Sequence, residues 1–120
     1  MEQANPGQTL SSATAAGAGT AIQLGGSNVC PTTVSMVVTV SGFASTYNLQ
    51  AVMAYPYVNV GLEVSLDNSN WVRIANCQLT GNGSFKAMGT FPCLYARANV
   101  DTLDSRVTAI TMNAYVAGGT

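Results

Sequence analysis

Apolar and polar residues alternate along most of this chain. In Thr33–Ser41, Val34, Met36, Val38 and Val40 fall on one face, and Ser35, Val37 and Thr39 fall on the other. A period of two over such a length predicts a strand with one buried side. Val58 to Leu66 repeats the pattern, with Val58, Val60, Leu62, Val64 and Leu66 sharing one face. Asp67-Asn68-Ser69-Asn70 follows, a run whose side chains bond nearby backbone or tolerate positive φ. Trp71 to Ala75 then returns as a strand, so Val58 to Ala75 predicts a hairpin. Gly81-Asn82-Gly83 marks a second tight turn, and Ser84 to Thr90, Cys93 to Val100 and Arg106 to Val116 supply further strands. No window of about 11 residues carries an apolar stripe of helical period. The pattern predicts an all-β chain: a small antiparallel β-sandwich, jelly-roll or Ig-like, of about seven to eight strands.

The two ends depart from this pattern. Ser11 to Thr20 consists of Ser, Ala, Thr and Gly alone. Such a stretch has too little apolar surface to offset the entropy of ordering it. Residues 1–26 therefore read as an extended N-terminal arm, 27–117 as the sandwich domain and 118–120 as a free tail. Within the arm Ile22 and Leu24 alternate with polar neighbours, as an edge strand does. Leu10, Ile22 and Leu24 are the expected contacts to a neighbouring subunit or shell, because an added strand gains affinity from backbone hydrogen bonds. Residues 43–57 show no regular period.

Composition narrows the function. The 120 residues make one domain, 48 % hydrophobic but only 8 % charged, against about 25 % in typical globular proteins. There is no histidine, which excludes Ser-His-Asp and Cys-His catalysis and His-ligated metals. The net charge is -1, with Arg73, Lys86, Arg97 and Arg106 the cations. Four scattered cations do not make a nucleic-acid footprint. No apolar run approaches the length of a membrane helix, and no segment has the form of a secretory leader. Cys30, Cys77 and Cys93 are odd in number and widely spaced, which suits reduced thiols in a reducing compartment.

Candidate chemistry is sparse. Glu63 and Asp67 could be imagined as a carboxylate pair across a cleft, yet one sits mid-strand and the other opens a turn. Asp67, Asn68 and Asn70 provide too few oxygen ligands for calcium and serve better as a turn. Gly81-Asn82-Gly83 has no following helix to cradle a phosphate. No cofactor or metal is expected. Tyr47, Tyr55, Tyr57, Tyr95 and Tyr115, with Trp71 and Phe85, could form a sugar-stacking platform or lie in the core and on sheet faces.

Two stretches carry a likeness. Val64-Ser-Leu-Asp-Asn-Ser-Asn-Trp-Val-Arg-Ile-Ala75 is a strand, an Asp-led turn and a Trp-Val return. Tyr95-Ala-Arg-Ala-Asn-Val100 follows, with a loop and Arg106-Val-Thr-Ala-Ile-Thr-Met112 after it. This order resembles the small β-sandwich virion proteins of tailed bacteriophages, the capsid decoration (cement) or head-associated class. Asn68 stands where Gly is usual, and the likeness spans about Val58 to Val116. It implies a non-enzymatic virion protein on the capsid surface, made in the host cytoplasm. Its partner would be the major capsid protein, with no nucleic acid and no membrane, and it would act as a homo-oligomer, a trimer being favoured. It also implies that Trp71 fills the core beneath the hairpin and that Arg97 pairs or stacks along its strand. A tail- or fibre-associated phage protein and a carbohydrate-binding β-sandwich module are the alternatives.

Overall fold

The computed structural model describes residues 7–25, 30–45, 58–101, 103, 107–108 and 110–119. All of its regular elements are strands: β1 (Gly7–Ala13), β2 (Gly17–Ala18), β3 (Ile22–Gln23), β4 (Thr33–Ser41), β5 (Ala44–Ser45), β6 (Val58–Ser65), β7 (Val72–Leu79), β8 (Gly83–Thr90), β9 (Tyr95–Val100), β10 (Val107–Thr108) and β11 (Thr111–Gly119). The first sheet has the order β1-β11-β4-β8. The second has β2-β9-β6-β7, with β3 also on β9. β5 and β10 form a short ribbon. Every pairing is antiparallel. Seven strands have six or more residues; β4, β6, β7, β8, β9 and β11 fall where the alternation predicts strands, whereas β1 lies in the expected arm, and the two-residue strands have no periodicity to read.

The alternating faces meet in one core. Val34, Met36, Val38, Met112, Ala114 and Val116 of the first sheet are buried against Val58, Val60, Leu62, Val64, Ala96 and Ala98 of the second. The predicted strand Thr33–Ser41 appears with those bounds and with the expected side inward. β6 and β7 form the expected hairpin. These are two antiparallel sheets packed as a small β-sandwich.

Both ends differ from expectation. Residues 7–25 are extended, but they are tied to their own chain rather than free. β1 pairs with β11 in the first sheet, and β2 and β3 pair with β9 in the second. The segment thus crosses from one sheet to the other. Thr9 pins the crossing: its buried hydroxyl donates to the Thr20 carbonyl at 2.7 Å and accepts from the Ala98 N–H at 3.0 Å. Strand pairing draws on backbone groups, so a segment poor in apolar side chains can still be ordered by the open edges of β11 and β9. The tail is likewise recruited, for Gly118 and Gly119 pair with Val34 and Thr33. The sandwich therefore includes residues outside 27–117. Residues 1–6, 26–29 and 46–57 lie outside the described residues.

Candidate functional site

The outer face of the second sheet is built around Glu63. A bulge in β7 decides which side chains join it. Leu62 pairs with Ala75 but Glu63 pairs with Arg73, so Ile74 is the extra residue. An insertion of one residue reverses the facing of everything beyond it. Ala75, Cys77 and Leu79 keep to the core side, whereas Arg73 and Trp71 turn outward. Ile74 itself packs over Gly89 of β8, where a Cβ would lie 2.6 Å from its Cδ1. The expectation that Trp71 fills the core is corrected on this ground: its ring is half-buried on the outer face, with the Arg97 guanidinium 4.1 Å from its centroid. Leu66, also assigned to the inner face, is 55 % exposed at the hairpin rim.

Glu63 accepts from Arg97 Nε at 2.9 Å, Asn99 Nδ2 at 3.1 Å and Arg73 Nη2 at 3.3 Å. Arg73 also grips Asp101 through both terminal nitrogens at 2.9 Å, the bidentate geometry that favours arginine over lysine. Asn59 Nδ2 donates to Asp101 Oδ2 at 2.6 Å. The hydrogen bonds from Arg73, with a smaller one from Asn59, hold the Asp101 carboxyl below its ordinary range; those to Asp101 push the Arg73 guanidinium up. Gly61 makes the arrangement possible, because a Cβ there would overlap the Arg73 guanidinium. Arg97 pairs and stacks as expected.

Asp67 belongs to a different structure, the hairpin turn. Its Oδ1 accepts from the Asn70 N–H at 2.8 Å and the Ser69 N–H at 2.9 Å, and Ser65 Oγ accepts from the Asp67 and Asn68 N–H groups. Asn68 takes a φ of 63°, the left-handed position where Gly is usual. The backbone donors of Asn70 and Ser69 hold the Asp67 carboxyl well below the usual carboxylate range. Glu63 and Asp67 are therefore committed to separate sets of donors. A shallow depression of about 260 Å³ lies beside the turn, lined by apolar atoms of Val64, Leu66, Val72 and Phe91.

The outer face of the first sheet has the opposite chemistry. Val37 is 44 % exposed, Tyr115 49 % and Met88 67 %. One row across the strands reads Gln8, Tyr115, Val37 and Lys86; the next includes Ala117, Ser35 and Met88. Among the described residues Lys86 is the only charge on this face, and Ser, Thr and Asn supply the remaining polarity. Nothing in the alternation of β4, β8 or β11 distinguished these exposed apolar positions from ordinary sheet-face residues. The signal available was Val37, the middle of three consecutive apolar residues, Met36-Val37-Val38.

The residues expected to reach a neighbour are placed within their own chain. Leu10 and Leu24 are buried in the core, and Ile22 packs over Gly7. The three cysteines are free, with Cys77 and Cys93 buried and Cys30 exposed. Among the described residues no group of three or more Cys, Asp or Glu could hold a metal ion. Tyr95 is half-buried and Tyr115 exposed on opposite sheets; Tyr47, Tyr55 and Tyr57 fall outside the described residues. No protein family, curated protein or solved structure matches this chain.

Proposed function

We propose that this chain is a structural protein of a tailed-phage virion, binding the outside of the assembled capsid and stabilising it, with the major capsid protein as partner. The observation that carries the reading is the contrast between the two outer faces. On the second sheet every described charge already has a partner within the chain. On the first, a four-stranded face offers Val37, Met88 and Tyr115 on a nearly uncharged ground. Rigid, weakly charged and partly apolar faces suit broad protein contacts. The likeness in Val64 to Ala75 and Tyr95 to Val100 directs that contact to a phage shell. The function is binding rather than catalysis, since the carboxylates Glu63, Asp67 and Asp101 are each occupied by several donors.

Stabilisation follows from mass action. A protein that binds only the assembled shell lowers its free energy by RT ln(1 + [L]/Kd), about 2.7 kcal/mol per site at a hundredfold excess over Kd. A homo-oligomer, threefold where the shell is threefold, adds avidity. Sugar stacking has weaker support, because Arg97 covers one side of the Trp71 ring. The test is co-sedimentation of the purified protein with phage heads. Met88→Asp and Tyr115→Asp should abolish binding while leaving the far-ultraviolet circular dichroism spectrum unchanged. Folded variants that still sediment with heads would refute the docking face. Retention on a glycan array that Trp71→Ala eliminates would establish the carbohydrate module instead.

A further inference from the structure

Pro31 is fully buried at a junction where several chain segments end. The Cys93 N–H donates to the Pro31 carbonyl at 3.0 Å, and the Phe91 N–H to the Thr32 carbonyl at 2.8 Å. Residues 30–32 and 91–93 therefore run side by side as a short antiparallel tie. Leu24 and Gly25 hang from the carbonyl of Leu94, and Leu24 and Pro31 close over Gly118. The entry to β4, the exit from β8 and the N-terminal segment are all fastened here.

This tie brings together two cysteines that are far apart in sequence. The Cys30 thiol reaches the Cys93 carbonyl oxygen, with Sγ at 3.7 Å. Cys93 stands opposite Pro31 in this tie, so Cys30 lies one residue from the position that faces it. A disulfide spans Cα separations of about 4.4–6.8 Å. The two sites also differ in access, for Cys30 is exposed and Cys93 is buried.

We propose that Cys30 and Cys93 are an oxidation site, which a peroxide converts into a disulfide across the Pro31 junction. Cys30 is the thiol that meets the oxidant. Its thiolate attacks one peroxide oxygen, the O–O bond breaks, and Cys30 becomes a sulfenic acid while the other oxygen leaves as water after protonation. The Cys93 sulfur then attacks the sulfenyl sulfur, the S–O bond breaks, and a second water departs with the proton of Cys93. Two thiols lose two electrons and two protons, and the peroxide is reduced to two waters. Burial, and to a smaller degree the charge of Cys30, push the Cys93 thiol up to about 11. Cys93 is thus a poor target for the oxidant and acts as the resolving thiol once Cys30 has reacted. Cys77, buried on β7, has no such neighbour among the described residues and stays reduced.

The full-length reduced protein is treated with hydrogen peroxide at neutral pH, and its thiols are then titrated in denaturant. Three thiols before treatment and one afterwards are expected, with a Cys30–Cys93 linked peptide in the unreduced digest. Cys30→Ser, an exposed and structurally mild change, should abolish the linkage and leave both remaining thiols titratable. The oxidised protein should melt on the order of 10 °C higher, because a loop of roughly 60 residues has been closed. Three thiols surviving the treatment, a Cys30 converted only to sulfinic acid, or a linkage involving Cys77 would overturn the proposal. The experiment requires no capsid, so its outcome is independent of the docking face.

Discussion

Trp71 shows how one inserted residue redirects a side chain. In an uninterrupted β7, Trp71 would share the inward face with Ala75 and Cys77. The bulge at Ile74 turns it outward, where it stacks on Arg97. A half-exposed aromatic in contact with one guanidinium contributes far less than a core aromatic. Trp71→Ala should therefore cost about 1–2 kcal/mol in urea denaturation. Leu62→Ala, which removes a fully buried side chain of the same hairpin, should cost about 2–5 kcal/mol. A Trp71→Ala cost as large as that of Leu62→Ala would return the ring to the core.

At the scale of elements, the turn and the N-terminal segment carry the clearest consequences. Asp67 and Asp101 both titrate below their ordinary carboxylate range in the folded protein. A carboxyl depressed in this way binds its proton more readily when the chain is unfolded. It stabilises the fold above the ordinary carboxylate pKa of about 3.9, and that stabilisation is lost as pH falls through the folded value. Thermal melting between about pH 7 and pH 5 should show a nearly constant midpoint, falling steeply below about pH 4. Asp67→Ala should lower the midpoint at neutral pH and flatten that acid limb. A midpoint that rose on acidification would contradict the sign.

The N-terminal strands give a second prediction at this scale. Leu10 is 5 % exposed in the chain's own core, and Thr9 is pinned to Ala98 by a hydrogen bond. Leu10→Ala should cost about 2–5 kcal/mol, and the loss should be the same at all protein concentrations. A loss that varied with concentration would show the segment exchanging between subunits.

For the whole molecule, the distribution of charge matters more than its amount. Four of the six described charges, Glu63, Arg73, Arg97 and Asp101, are consumed on one outer face. Among the described residues, the opposite face retains Lys86 alone. Association through such a face has little electrostatic steering to lose. Binding to phage heads should therefore weaken by less than about threefold when salt is raised from roughly 50 to 300 mM. A drop of a hundredfold would indicate a charged contact elsewhere on the molecule.

Some of this protein is legible in its sequence because the responsible forces act between near neighbours. Alternation alone settles which side of Thr33–Ser41 is buried, since successive side chains of a strand must point oppositely. The Asp67 turn is readable for the same reason, its hydrogen bonds linking residues no more than three apart. The hairpin of β6 and β7 follows from that turn together with the same alternation in Val58 to Val64. Other features arise only when distant segments meet. Residues 7–25 and Gly118–Gly119 have little apolar content and acquire order from the backbone edges of β9, β11 and β4. The outward turn of Arg73 and Trp71 depends on Ile74 finding its place over Gly89 of the other sheet. The meeting of Cys30 with Cys93 depends on a tie between segments some 60 residues apart. Backbone pairing is indifferent to side-chain identity, so the choice of partner strand leaves no periodic trace along the chain and is made by the tertiary structure.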